Sequence, residues 1–147
     1  MSQLEYDATV RGIEATMRLG DGETIALLGP NGSGKSTVLQ TIAGLLRPDS
    51  GRVLLDGNDL TGTPPHLRRV GLLAQDPLLF PHLTALENVA FGPRVRRVGA
   101  TRARDQARQW LDRVHTAELA SRRPHQLSGG QAQRIAIARA LATEPRL

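Results

Sequence analysis

One octapeptide, Gly29-Pro30-Asn31-Gly32-Ser33-Gly34-Lys35-Ser36, matches the pattern G-x-x-x-x-G-K-[ST] at every position. Its glycines allow the backbone to turn tightly, so that several N–H groups can converge on the oxygens of a triphosphate. A helix that starts near Ser36 would add the positive end of its dipole. The pattern therefore predicts a phosphate-binding loop, with the Lys35 ammonium at the β- and γ-phosphates and the Ser36 hydroxyl as an Mg²⁺ ligand.

The flanking residues favour this interpretation over the alternative, a glycine-rich turn that holds a lysine by chance. Residues 24–28 form a short apolar run between glycines, which predicts a strand buried on both faces. Residues 36–46 carry apolar side chains at helical spacing and stop at Arg47-Pro48. Lys35 is also the only lysine among 19 basic residues. A strand, a loop and a helix in this order are the context that the motif requires.

The rest of the first half predicts strands. Residues 4–10 and 13–19 indicate an antiparallel ribbon, and residues 52–55 a further strand that ends in the tight turn Asp56-Gly57-Asn58. Residues 69–74 form another apolar run, which predicts a second buried strand that ends at Gln75.

The second half predicts helices. Thr84 followed by Glu87 is a capping-box pattern that opens a short helix, and residues 92–100 indicate an arginine-rich loop. Amphipathic helices are predicted over residues 101–115 and 131–142. Alternating strands and a helix followed by a helical block indicate an α/β core with an α-helical insertion.

A second glycine pair stands before the last of these helices, in Leu127-Ser128-Gly129-Gly130-Gln131. Ser128 and Gln131 fit a capping box, so one interpretation is simply a well-capped helix. A cap needs no Gly-Gly pair, whereas a backbone that a ligand approaches closely does. Exposed N–H groups at this helix start would form a second phosphate site. Two such sites in one chain suggest that one of them faces a partner's nucleotide.

The composition excludes several classes of protein. The chain has 147 residues, which fits one domain, and has no cysteine, which excludes disulfide frameworks, thiolate zinc sites and thiol nucleophiles. No apolar run reaches the roughly 18–20 residues of a membrane span, and the amino terminus lacks a signal-like core, so we expect neither secretion nor a membrane-spanning chain.

Residues 91–123 hold nine arginines and three acidic residues. Six of these arginines form a block: Arg94, Arg96, Arg97, Arg102, Arg104 and Arg108. We interpret this block as a solvated surface, in preference to a contact with a membrane subunit, lipid or nucleic acid.

Together these motifs resemble the ATP-binding subunit of ABC transporters. The similarity spans the chain and rests on residues 29–37 (Walker A), Gln75 with Asp76 (Q-loop), residues 127–131 (signature motif) and residues 134–145 (the following helix). Residues 79–89 look like the importer branch that serves molybdate, sulfate, sugars and similar solutes.

The resemblance implies an α/β P-loop NTPase (RecA-like) core with an amino-terminal antiparallel β-subdomain and an α-helical subdomain that carries the signature motif. Within one domain of residues 1–147, the β-subdomain and the core would occupy residues 1–75. The Q-loop and the helical subdomain would occupy residues 76–142.

The resemblance also implies a head-to-tail dimer that holds each ATP between one subunit's phosphate loop and the other's signature. Lys35 and Gln75 would be the catalytic residues, and Ser36 and Gln75 would bind Mg²⁺. Nucleotide contacts within the subunit are implied for Gly29, Pro30, Asn31, Gly32, Ser33, Gly34, Lys35, Ser36, Thr37 and Gln75. Contacts with the partner's nucleotide are implied for Ser128, Gly129, Gly130 and Gln131.

Implied partners are the membrane-spanning subunits, reached through the Q-loop and the helical subdomain, a second nucleotide-binding subunit in a homodimer, and an extracytoplasmic solute-binding protein. No nucleic acid partner is implied. The implied location is the cytoplasmic face of the cell membrane.

Two departures from the family qualify these implications. In the family, the Walker B Asp that binds Mg²⁺, the general-base Glu and the switch His come after the region that ends here at Leu147. We therefore expect an amino-terminal portion of the subunit, marginally stable by itself. The aromatic residue on which the family stacks adenine would fall near Val10 and Arg11. The nearby Tyr6 is more typical of a core or surface position in a strand. Arg11 could stack on adenine through its guanidinium plane.

Three functions compete on this basis. The first is the ATPase motor of an importer, and the second is a nucleotide-binding module without turnover, because the base and one Mg²⁺ ligand are absent. The third, a relative in DNA repair or chromosome maintenance, is disfavoured because only 51 residues, 76–126, separate the Q-loop from the signature, without cysteine.

Overall fold

The computed structural model describes residues 3–147. Its chain contacts divide it into two compact units, one of residues up to Val70 together with Arg146 and Leu147, and one of Gly71–Pro145. The first unit contains β1 (Leu4–Val10), β2 (Ile13–Leu19), α1 (Lys35–Ala43), β3 (Ser50–Leu55) and β4 (Asn58–Asp59). The second contains α2 (Ala85–Val95), α3 (Ala100–Arg113) and α4 (Gly129–Leu141). Short 3₁₀ turns lie at Pro65–Leu67, Ala117–Leu119 and Pro124–Gln126.

The sheet of the first unit is antiparallel throughout, in the order β2-β1-β3-β4. The predicted ribbon is confirmed, with β1 and β2 in a register that pairs Val10 with Ile13. The two residues between them, Arg11 and Gly12, have φ angles of 52° and 76°, the left-handed pair that a tight hairpin turn requires.

One face of β1 forms the core of this unit. Its alternate residues Leu4, Tyr6, Ala8 and Val10 are buried, because successive side chains of a strand point to opposite faces. Leu4, Tyr6 and Ala8 form one apolar cluster with Val38 and Ile42 of α1. The interpretation of Tyr6 as a core residue is confirmed. Burial of Tyr6 raises the pKa of its phenol.

The prediction of buried strands at residues 24–28 and 69–74 is wrong. Residues 24–28 and 69–74 adopt no strand in the structure, and their apolar side chains are largely exposed, with Leu28 at 91% and Leu73 at 45%. A strand exists only where a neighbouring backbone completes its hydrogen bonds. An apolar run does not reveal whether that neighbour is present.

The predicted helix over residues 36–46 ends earlier, at Ala43. Gly44 follows with φ 83°, a left-handed cap in which the Gly44 and Leu45 amides donate to the Thr41 and Gln40 carbonyls. Beside this end, the buried guanidinium of Arg68 donates to the carbonyls of Thr41 and Ile42 at 2.8 and 2.9 Å. Burial lowers the pKa of Arg68.

The second unit is a bundle of three helices around one apolar cluster. Val89 of α2, Leu111 of α3 and Ile135 of α4 are fully buried in it, together with small alanines such as Ala103 and Ala107. Both predicted capping boxes are confirmed, Thr84 with Glu87 at α2 and Ser128 with Gln131 at α4. Several helix boundaries differ from prediction, and α3 spans Ala100–Arg113 rather than residues 101–115. Helix α2 continues to Val95 through Pro93, so residues 92–95 are not loop, and α4 begins at Gly129 rather than at residue 131.

Candidate functional site

The predicted phosphate loop lies directly before α1. Gly34 is the N-cap residue of this helix and is left-handed, at φ 89°, and Gly32 has φ 82°. A Cβ atom on Gly34 would lie 2.5 Å from the Cδ1 atom of Ile13 in β2. Both the backbone angle and the close approach of Ile13 therefore require glycine at position 34.

The only lysine of the chain closes this loop. The Lys35 Nζ atom donates to the Gly29 carbonyl at 2.7 Å, to the Pro30 carbonyl at 2.8 Å and to the Ser33 hydroxyl at 3.3 Å. All three acceptors are neutral, and among residues 3–147 no carboxylate forms an ion pair with the ammonium. An anion in the loop would exchange these neutral acceptors for charged ones, which make the stronger hydrogen bonds.

The electrostatics of the loop fit a phosphate group. The first turn of α1 contains no acidic side chain, so the positive end of the helix dipole is not neutralised there. Gly29, Pro30, Asn31, Gly32 and Ser33 are exposed, which leaves the loop accessible. The glycine backbone, the ammonium and the helix start thus converge on one accessible place, which is the donor set that a triphosphate needs.

The residues present fit Mg²⁺ only as a companion of phosphate. Ser36 is exposed and supplies one hydroxyl, and Gln75 is exposed and supplies one amide oxygen. Among residues 3–147 no group of three or more His, Cys, Asp or Glu side chains could hold a metal ion. Mg²⁺ commonly takes few protein ligands and completes its shell with phosphate oxygens and water. Either oxygen by itself suits that mode.

The predicted site residues are divided between the two units. Residues 29–37 belong to the first unit, whereas Gln75 and residues 128–131 belong to the second. Gln75 and Asp76 are exposed and precede the segment that leads to α2.

The start of α4 has the geometry of a capped helix with an open backbone. The Gln131 amide donates to the Ser128 hydroxyl at 3.3 Å, and the Ser128 amide donates to the Gln131 side chain at 2.9 Å. The cap does not explain the two glycines. A Cβ atom at Gly129 or Gly130 would meet nothing within 4 Å, so no neighbour in the described chain requires glycine there.

The sequence patterns did not indicate the contacts of two side chains in the second unit, Arg139 and Asn88. The Arg139 guanidinium of α4 donates to the carbonyls of Leu78 and Pro77 at 2.8 and 3.0 Å and lies 5.4 Å from the centroid of the Phe80 ring. The buried Asn88 amide of α2 accepts from the Phe80 amide at 2.8 Å and donates to the Phe80 carbonyl at 3.2 Å. The available signal was a polar residue inside an apolar helical run, because such a residue needs partners when it is buried.

The structure narrows the candidates for an adenine platform. Tyr6 and Val10 are buried at 1% exposure each, so neither offers a free face. Arg11 is exposed at the hairpin turn, where its amide donates to the Asp49 carboxylate at 2.7 Å.

The arginine block is exposed, as a solvated surface requires. All six of its members are exposed. Arg108 pairs with Asp105 at 2.9 Å, and Arg96 donates to the Thr143 carbonyl. Trp110 is partly buried against the apolar cluster of the second unit, and the Arg113 guanidinium lies 4.7 Å from its ring centroid.

A family model described as ABC transporter matches residues 14–147. The chain is 54% identical to the molybdenum import ATP-binding protein ModC of Mycobacterium tuberculosis, over 99% of this chain and 42% of ModC. It is 48% identical to the spermidine/putrescine import ATP-binding protein PotA of Escherichia coli K12, over 89% of this chain and 35% of PotA. It thus spans about two fifths or less of the length of these curated relatives.

A solved structure shares the fold. It is the dimeric structure of a post-hydrolysis state of the ATP-binding cassette MJ0796 bound to ADP and Pi, with a TM-score of 0.81 and 34% identity. The match covers 99% of this chain and 71% of that one, and it confirms the predicted α/β P-loop NTPase fold class. Within residues 3–147 no helix is both long and apolar enough to cross a bilayer.

Proposed function

Because the chain belongs to the ABC transporter family, we propose that it is the nucleotide-binding part of an importer's ATPase subunit, with MgATP bound at residues 29–37. The observation that carries the proposal is the Lys35 ammonium, held over an accessible glycine loop by neutral acceptors alone. In this assignment the loop amides and Lys35 bind the β- and γ-phosphates. Ser36 and Gln75 would hold Mg²⁺, which when bound neutralises phosphate charge.

The second phosphate site is proposed to act on a partner subunit's nucleotide. Ser128, Gly129, Gly130 and Gln131 are the residues assigned to it. The open surroundings of both glycines support this assignment, because the fold alone would accept alanine at either position. A head-to-tail homodimer is the assembly that brings such a site to a nucleotide, and the related cassette MJ0796 was solved as a dimer.

The reaction that this arrangement supports is phosphoryl transfer from ATP to water. The protein's share of this chemistry is positioning and charge stabilisation, which Lys35, the loop amides and the α1 start supply. Gln75 is proposed to position the attacking water. Hydrolysis is assigned to the complete subunit, and binding without turnover remains the alternative for the 147 residues by themselves.

The solute proposed is molybdate or a similar anion. The support is the 54% identity to ModC, ahead of the 48% to PotA. The subunit is proposed to work at the cytoplasmic face of the cell membrane with membrane-spanning subunits and an extracytoplasmic solute-binding protein. Exposed apolar side chains around the segment after Gln75, Leu78 and Phe91, suit the contact with a membrane subunit.

The test is Lys35→Ala in the complete subunit, with MgATP affinity measured by calorimetry. We expect affinity to fall by about 10- to 150-fold, because charge-assisted hydrogen bonds contribute about 1.5–3 kcal/mol and no second lysine can replace the ammonium. Arg47→Ala is the matched control, since it removes one exposed cation beyond the opposite end of α1. Unchanged affinity in Lys35→Ala would refute the assignment of the phosphate loop.

A further inference from the structure

Arg139 is a partly buried cation whose partners are all uncharged. It lies on α4, eleven residues after the cap Ser128, and donates to the carbonyls of Leu78 and Pro77. Its guanidinium also lies 5.4 Å from the centroid of the Phe80 ring. Burial lowers the pKa of Arg139, and within residues 3–147 no carboxylate pairs with it. All of its polar contacts are therefore made with one segment, residues 77–80.

These contacts need the shape of arginine and not merely its charge. A guanidinium is planar and rigid, so it can donate to two adjacent carbonyls while one face lies against an aromatic ring. A lysine ammonium at the same position would keep the charge without the fork or the flat face. Burying a cation against neutral carbonyls costs free energy that solvation at the protein surface would avoid. The contacts with residues 77–80 offset this cost.

The segment that Arg139 holds follows Gln75 by one residue. Leu78 is 68% exposed and has φ 45°, an uncommon angle for a residue with a side chain. From the other side, the buried Asn88 of α2 fixes both the amide and the carbonyl of Phe80. The Phe80 ring in turn packs against Phe91 with centroids 4.6 Å apart, and Phe91 is itself exposed. The segment thus connects α4, the helix that begins at the signature motif, to Leu78 and Phe91, the exposed apolar residues proposed to contact a membrane subunit.

We propose that Arg139 is a positioning residue that ties the signature helix α4 to residues 77–80. When a partner's nucleotide binds at the start of α4, the two carbonyl bonds and the ring contact oblige the segment after Gln75 to move with the helix. This inference rests on the proposed function, because it requires nucleotide at the Ser128 end of α4.

The experiment is hydrogen exchange on the complete subunit, with and without a non-hydrolysable ATP analogue and Mg²⁺. The reporters are the peptide of residues 78–83 and a peptide from α4. In the wild type we expect the analogue to slow exchange in both. In Arg139→Lys the response of α4 should persist, while the response of residues 78–83 should shrink by about 2- to 30-fold, the range in which such couplings fall. Arg113→Lys is the matched control, because it alters an exposed stacked arginine without carbonyl anchors.

The outcomes separate this inference from the function on which it rests. A wild type without any analogue response in α4 contradicts the signature assignment, and the inference falls with it. A normal response of residues 78–83 in Arg139→Lys, or an equal loss in Arg113→Lys, overturns the inference alone. If Arg139→Lys does not fold, Arg139→Gln gives the same comparison, since it removes both the guanidinium fork and its flat face. A full response of residues 78–83 in Arg139→Gln would then overturn it.

Discussion

Gly34 and Gly130 are glycines for different physical reasons. At Gly34 the requirement is internal, because φ is 89° and an added Cβ would lie 2.5 Å from Ile13. At Gly130 the surroundings are open and no positive φ is imposed. Gly130 is the second residue of α4, and neither its backbone angle nor a neighbour in the described chain requires glycine there. Close approach of a phosphate is the reason that the proposed function supplies.

This contrast predicts opposite effects of the same substitution. Gly34→Ala should destabilise the subunit by about 1–3 kcal/mol and weaken ATP binding, because it forces a side chain into a left-handed position beside Ile13. Gly130→Ala should leave the thermal midpoint unchanged or slightly higher, yet abolish dimer-dependent ATP hydrolysis. Thermal unfolding and ATPase assays of both variants check this. Equal destabilisation by the two would mean that the signature glycines serve the fold.

At the scale of elements, the caps set where α2 and α4 begin. In α2 the Glu87 carboxylate accepts from the Thr84 amide at 2.9 Å and from its hydroxyl at 3.0 Å. Hydrogen bonds from the Thr84 backbone and then its side chain lower the pKa of Glu87 below the usual 4.5. The buried Asn88 of the same turn fixes the preceding loop at Phe80, Leu83 and Thr84.

The lowered pKa of Glu87 predicts a pH dependence of a definite sign. The carboxylate binds its proton more weakly in the folded state than in the unfolded state, so its contribution to stability is present above the unfolded pKa of about 4.5. It should be lost as pH falls below that value through the folded pKa. Glu87→Gln keeps a capping side chain without a titrating group. We expect the thermal midpoint of the wild type to fall more steeply than that of Glu87→Gln below about pH 4.5; parallel curves would contradict this.

At the scale of the whole molecule, two segments predicted as strands lie outside the sheet of the described chain. Residues 24–28 and 69–74 form no strand and expose Ile25, Leu28, Leu72 and Leu73. An exposed segment with apolar side chains and a backbone outside any sheet is a template for pairing with other chains.

The 147-residue polypeptide by itself should therefore be marginally stable and prone to aggregate. Size-exclusion chromatography with light scattering should show soluble aggregates, and thermal unfolding should be irreversible and broad. Changing Leu28 and Leu73 to Ser should reduce aggregation, whereas the same change at the exposed Leu45, outside both segments, should not. A sharp, reversible transition of the unchanged polypeptide would contradict this expectation.

Much of the local structure could be predicted from the sequence. The ribbon of residues 4–10 and 13–19, the capping boxes at Thr84 and Ser128 and the glycine loop before α1 all agree with the patterns that indicated them. The helix boundaries were less accurate. Gly44 ends α1 before residue 46, and Pro93 is accommodated within α2.

The ribbon, the capping boxes and the glycine loop share one physical basis. Turn geometry, capping and alternation of apolar residues depend on neighbours within a few positions along the chain, so the order of residues is sufficient to specify them. Strand formation at residues 24–28 and the partners of Arg139, 61 and 62 positions away, depend on which distant backbone lies alongside. Periodicity holds no information about that neighbour. Only the folded chain shows that these two apolar runs form no strand and that one arginine binds the carbonyls of a remote segment.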